Sequence, residues 1–64
     1  MATIYILNDG VGNYSADETK IEDQLRRDNV TIVFSERGET IKEAVEKAKK
    51  RAGESGIKID DFEI

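Results

Sequence analysis

Apolar and polar positions alternate in the opening segment Thr3-Ile4-Tyr5-Ile6-Leu7, with Ile4 and Ile6 on one face and Tyr5 and Leu7 on the other. Apolar groups on both faces predict a strand that is central or covered on both sides. Residues 29–35 repeat the pattern, with Val30, Ile32 and Phe34 on one face and Thr31 and Val33 on the other, and the two strands are expected to be neighbours. Over residues 39–53 the period changes to three and four: Ile41, Ala44, Val45, Ala48 and Ala52 share one face of a predicted helix, and their small size lets it lie close to a sheet. Thr40 followed by Glu43 fits a capping box, in which hydroxyl and carboxylate satisfy the first backbone donors. Glu43 with Lys47 and Glu46 with Lys50 make (i, i+4) pairs. Lys47, Lys49, Lys50 and Arg51 come late, where the helix dipole favours cations, and Gly53 reads as the stop.

Two stretches carry a weaker pattern. In residues 16–28 the apolar Ile21 and Leu25 stand one helical turn apart in a polar run, which predicts a short helix near 16–28 capped through Ser15 and Glu18; a structured loop is the alternative. The tail alternates at Ile57 and Ile59 and then changes parity at Phe62 and Ile64, so Asp60-Asp61 read as a turn or bulge in a third strand. The resulting expectation is a single domain over residues 1–64 of the α/β (α+β) two-layer class. A three-stranded sheet is packed by the long helix of 39–53 and joined by the short one, in the order β-α-β-α-β. With right-handed crossovers that order would give an all-parallel sheet; a mixed sheet is the alternative.

From residue 31 the order of features resembles the middle of a ubiquitin-like β-grasp domain: a strand at Thr31 to Ser35, a turn at Gly38-Glu39, a Thr40-Ile41 helix start, the helix itself, then Gly56-Ile57 leading through Asp60-Asp61 to Phe62 and Ile64. Two departures limit what the resemblance implies. The first two strands of that fold join by a tight hairpin, whereas a long segment separates the first two predicted strands of this chain. No Gly-Gly follows Ile64, so the conjugation and sulfur-carrier chemistry of the family is not implied.

Composition narrows the chemistry. A chain of 64 residues buries only about 60% of the surface its unfolded form exposes, so a substrate-sized pocket is hard to build in it. Cysteine and histidine are both absent, which excludes disulfides, thiol nucleophiles, zinc ribbons and Ser-His catalysis. No enzyme activity, catalytic residue, metal or cofactor is expected. The opening segment has too short an apolar run and no basic start for a signal peptide, so a cytoplasmic protein is expected, with no membrane partner. The formal net charge of -4 argues against direct nucleic-acid binding. Lys47, Lys49, Lys50 and Arg51 are as well explained by helix-dipole and ion-pair roles, and no aromatic residue is interleaved among them to stack on bases.

Three features remain. The loop Asp9-Gly10-Val11-Gly12 offers amides that could cradle an anion, yet it lacks both the third glycine of a dinucleotide fingerprint and the Lys of a P-loop; a plain turn is the expected reading. A calcium loop aligned on Asp9, Gly12 and Glu18 would put Leu7 and Val11 in ligand positions, which argues against it. Asp17, Glu18, Glu22 and Asp23, with Asp28, form an acidic stretch that reads either as a solvated face or as a surface complementary to a basic partner, such as a nucleic-acid-binding protein; Asp60, Asp61 and Glu63 add a second acidic group. Tyr5, Leu7 and Val33, with Tyr14, are expected on the sheet face away from the long helix. There they become second-layer core if the short helix covers them, or an apolar patch for a protein partner or a homodimer if it does not. The functional expectation is a non-enzymatic, acidic protein-binding module, similar in general character to the inhibitors that phages and other mobile elements aim at host defence, anti-CRISPR proteins among them. The alternative is an idealised or designed scaffold with no biological partner, suggested by the well-capped helix and the absence of His, Cys, Pro and Trp.

Overall fold

The doubly apolar segment at the start of the chain does become the central strand. The computed structural model describes residues 1–62; Glu63 and Ile64, which closed the expected tail strand and acidic group, lie outside the described residues. The elements are β1 (Ala2–Asn8), β2 (Asn13–Asp17), α1 (Ile21–Leu25), β3 (Thr31–Gly38) and α2 (Ile41–Ser55). The strands form one sheet in the order β2-β1-β3, and both pairings are antiparallel. The two-layer α+β arrangement expected from the pattern is present: a three-stranded sheet packed by a long helix, with a short second helix.

The order along the chain is β-β-α-β-α, in place of β-α-β-α-β, and the sheet is not parallel. Residues 13–17, expected as loop and helix start, instead fold back on β1 as a hairpin, because the four residues Asp9–Gly12 close a turn in which the Asp9 amide donates to the Gly12 carbonyl at 3.2 Å. The short helix is thereby confined to Ile21–Leu25, and Ser15 lies inside β2 and cannot cap it. The tail makes no regular strand among its described residues. The Asp60 amide donates to the Asn13 carbonyl at 2.9 Å and the Ser15 amide to the Asp61 carbonyl at 3.0 Å, giving one isolated parallel bridge between Tyr14 and Asp61 on the outer edge of β2.

α2 lies over β1 and β3 by virtue of its small residues. Ala44, Val45, Ala48 and Ala52 are buried against Ile4, Ile6 and Phe34, and Ile41, Ile57, Ile59 and Phe62 close the margins of this core. At the N-terminus the Glu43 amide donates to Thr40 Oγ1 at 3.1 Å, while Glu43 Oε2 accepts from the Glu39 amide at 3.3 Å, a capping box displaced by one residue. The helix runs through Gly53 and stops at Gly56, whose φ of 71° is left-handed. The Ile57 amide donates to the Ala52 carbonyl at 2.9 Å and the Gly56 amide to the Gly53 carbonyl at 3.4 Å, the paired bonds of a Schellman ending, with Ile57 turned onto the core. Lateral ties fix the helix to β3: Arg51 pairs with Glu36 at 2.8 Å and lies 4.7 Å from the centre of the Phe34 ring.

A bulge in β3 changes which face its residues occupy. Phe34 is opposite Ile6 but Ile32 is opposite Leu7, so Val33 is an extra residue and the parity reverses across it. Phe34 therefore faces α2, whereas Ile32, expected beside it, shares the face of Tyr5 and Leu7.

Two glycines test this packing from opposite directions. At Gly38 a Cβ would stand 2.7 Å from the Ala44 amide nitrogen and 2.9 Å from Glu43 Cβ, so Gly38→Ala should force the start of α2 off the sheet and cost about 1–3 kcal/mol. Chemical denaturation should show that loss as a lower midpoint. At Gly53, inside the helix, a Cβ meets nothing within 4 Å, so Gly53→Ala should instead stabilise by roughly 0.5–1 kcal/mol. A melting temperature several degrees above wild type would show the gain.

Candidate interaction surface

The sheet face opposite α2 is built from the residues that β1 turns away from the main core. Across it, Tyr5 is opposite Ala16 and Ser35, and Leu7 is opposite Tyr14 and Ile32. α1 closes one half. The Tyr14 hydroxyl donates to Gln24 Oε1 at 2.7 Å, which ties the helix to this face, and Leu7 and Ala16 are buried at 0% and 2% exposure. The half over β3 is left open: Ile32 and Val33 are 47% and 41% exposed, and Tyr5 beside them is half-buried.

The four residues expected as an apolar patch are thus divided. Leu7 is buried second-layer core. Tyr14 is half-buried with its hydroxyl spent on Gln24, while Tyr5 and Val33 remain accessible. Ile32 joins them, and alternation alone had placed it on the wrong face; nothing in the residue types marks the bulge that moves it. Leu25, at the end of α1, is 45% exposed.

The acidic residues are divided as well. Asp17 closes β2 and accepts from the Thr19 hydroxyl at 2.6 Å, the Thr19 amide at 2.9 Å and the Lys20 amide at 3.2 Å, forming the turn that leads into α1. Those donors, the Thr19 hydroxyl foremost, hold its carboxyl below the usual aspartate range. Glu18, Glu22 and Asp23 are exposed, and Asp23 lies 3.8 Å from Arg26 in a solvated pair. They are the solvent-exposed carboxylates of the acidic stretch, outside the turn that Asp17 holds.

The glycine loop is occupied by its own side chains. Asp9 Oδ1 accepts from the Val11 and Gly12 amides, each at 2.9 Å, and Asn8 Oδ1 accepts from the Gly10 amide at 2.9 Å. The donors that would have cradled an anion are already used, and the Gly12 and Val11 amides hold the Asp9 carboxyl below its ordinary range. The loop is a turn. No group of three or more carboxylates suited to a metal ion occurs among the described residues.

The surface hollows include one of about 200 Å³ between Ala2, Thr3, Asp17, Glu18, Thr19 and Ile41. Tyr5, Ile32 and Val33 do not line that hollow. No helix among the described residues is long and apolar enough to cross a membrane. No known protein family, characterised protein or solved structure matches this chain. Nothing in these comparisons ties the chain to β-grasp domains.

The two engaged carboxylates predict a pH dependence with a definite sign. Because the folded pKa values of Asp9 and Asp17 lie below their unfolded ones, their contribution to stability is complete above about pH 5 and is lost as pH falls through about 4 and below. Asp17→Asn removes that titration. In denaturation midpoints measured from pH 6 to pH 2, the variant should lose less stability on acidification than the wild type does.

Proposed function

We propose that this chain is a non-enzymatic protein-binding module that acts in the cytoplasm by occupying a basic surface of a partner protein. The observation that carries the reading is the half-covered sheet face. Tyr5, Ile32 and Val33 are accessible on the half over β3, while α1 covers the other half and carries the exposed Glu22 and Asp23. An apolar centre contributes contact energy, and flanking carboxylates on a chain of net charge -4 steer it toward a partner of opposite sign. A nucleic-acid-binding protein, whose phosphate-binding residues are basic, has the matching chemistry. Inhibition of such a protein, in the manner of the small acidic inhibitors that mobile elements aim at host defence, would follow from occupying that site.

The competing reading, an idealised scaffold without a partner, draws on the complete caps at both ends of α2. The bulge in β3 and the apolar residues left exposed beside it weigh against an idealised design.

The test uses immobilised wild-type chain and three variants. Glu18, Glu22 and Asp23 changed together to Lys removes the free acidic charge, and Asp17 is left intact because its carboxylate holds a turn. Ile32→Ser with Val33→Ser removes the apolar centre. Lys42→Glu, at an exposed position of α2, is the control. A binding module retains one protein that the control also retains, and both surface variants weaken it about tenfold or more, the charge effect shrinking as salt rises. Retention indifferent to both surface variants, or no retention together with a melting temperature above about 90 °C, would favour the scaffold.

A further inference from the structure

The Asp9-Gly10 step is the chain's single Asp-Gly or Asn-Gly dipeptide, and it stands at the exposed tip of the β1–β2 hairpin. Asp-Gly steps isomerise spontaneously in water. The Gly nitrogen attacks the Asp side-chain carbon, a C–N bond forms, and one carboxyl oxygen departs with protons from the nitrogen and the acid as water. The resulting succinimide takes up water again, and opening at its main-chain carbonyl leaves the backbone running through the side chain as isoaspartate. Glycine is permissive because no Cβ shields its nitrogen.

The groups this reaction needs are each held away from it. The Gly10 amide, the nucleophile, donates to Asn8 Oδ1 at 2.9 Å, and the Asp9 carboxylate, the electrophile, is turned to the Val11 and Gly12 amides. Asn8 is itself fixed, since its Nδ2 donates to Asn13 Oδ1 at 2.9 Å. Asn13 is fixed in turn by the tail, its Nδ2 donating to the Lys58 carbonyl at 2.9 Å, and Asp60 beside it packs against Gly12. A continuous relay of hydrogen bonds therefore runs from Lys58 through Asn13 and Asn8 to the Gly10 nitrogen.

We propose that Asp9 is a latent site of isoaspartate formation, kept in its native form by the Asn8–Asn13 relay, so that docking of the tail on the hairpin controls a covalent change at the loop. Since the reaction proceeds from the open loop, its rate follows the population of molecules in which the Gly10 amide and the Asp9 carboxylate are released. Losing one bond of the relay should raise that population about fivefold, and losing the link to the tail should act in the same direction without touching Asp9 or Gly10.

The experiment incubates the 64-residue wild-type chain, Asn8→Ala, Asn13→Ala and an unstructured peptide of residues 5–14 at pH 7.4 and 37 °C, and reads isoaspartate at Asp9 by peptide mapping with fragmentation that separates the isomers. The relay requires the wild type to isomerise more slowly than the peptide and both variants to isomerise about fivefold faster than wild type. Hydrogen exchange of β1 and α2 amides confirms that the variants stay folded. If Asn8→Ala does not fold, Asn13→Ala alone decides the question. Wild type isomerising at the peptide's rate, or folded variants at the wild-type rate, would overturn the proposal.

Discussion

In a chain of 64 residues one strand is covered on both faces, and the other elements are arranged around its burial. β1 places Ile4 and Ile6, both 0% exposed, against α2 and places Leu7, also 0% exposed, on the opposite side. Neither face could be left in water at an affordable cost, because a fully buried Leu or Ile side chain contributes about 1.5–3 kcal/mol and small domains have few such residues. The consequence is an uneven division of cover. α2 supplies a complete apolar stripe to one face, whereas α1, five residues long, covers only the half of the other that lies over β2. The accessible apolar strip over β3 is what remains when one long helix and one short one share a sheet of three strands.

The free edges of that sheet are managed by different means. On the β2 side the tail lies along the strand and takes up main-chain groups of Asn13 and Ser15. On the β3 side the Lys47 ammonium donates to the Arg37 carbonyl at 3.0 Å, and the bulge at Val33 interrupts the regular ladder. A lysine across an edge and a bulge within it are both devices that discourage pairing with another strand. The open face of the sheet, and not its edge, is thus the better surface for a partner, which is why Tyr5, Ile32 and Val33 carry the functional reading.

What was legible in the sequence follows the range of the interactions involved. The long helix, its Thr40 cap and its alanine stripe are local patterns, and they are present with the stop displaced from Gly53 to Gly56 and the Glu43 carboxylate reaching the Glu39 amide. Both glycines suit a helix end locally; Gly56 takes the left-handed position because Ile57 can then turn onto the core. The central role and neighbour relation of β1 and β3 were also legible, from apolar residues on both faces. β2 was not, since Asn13-Tyr14-Ser15-Ala16-Asp17 has one small apolar residue and a tyrosine. Its strand character comes from the hairpin turn that the Asp9 side chain closes and from pairing with β1. Ile32 was misplaced for a related reason: a bulge is a property of two paired strands, and alternation along one strand contains no trace of it.

The same sorting governs the charges. Asp9, Asp17, Glu18, Glu22 and Asp23 look alike as an acidic run around the hairpin and first helix, and a net charge counts them equally. In the fold two of them are backbone acceptors. Asp9 and Asp17 hold the turns at either end of β2, with their carboxyls kept ionised by amide and hydroxyl donors. A carboxylate used in this way is oriented toward its own chain, so reversing its charge would damage the turn before it informed on any interface. Glu18, Glu22 and Asp23 have no such task in the turns, and their charge is available to the solvent or to a partner. An acidic stretch in a small domain is therefore evidence about binding only after the residues that build its turns have been subtracted, and here that subtraction leaves the carboxylates of the β2–α1 turn and of the first turn of α1.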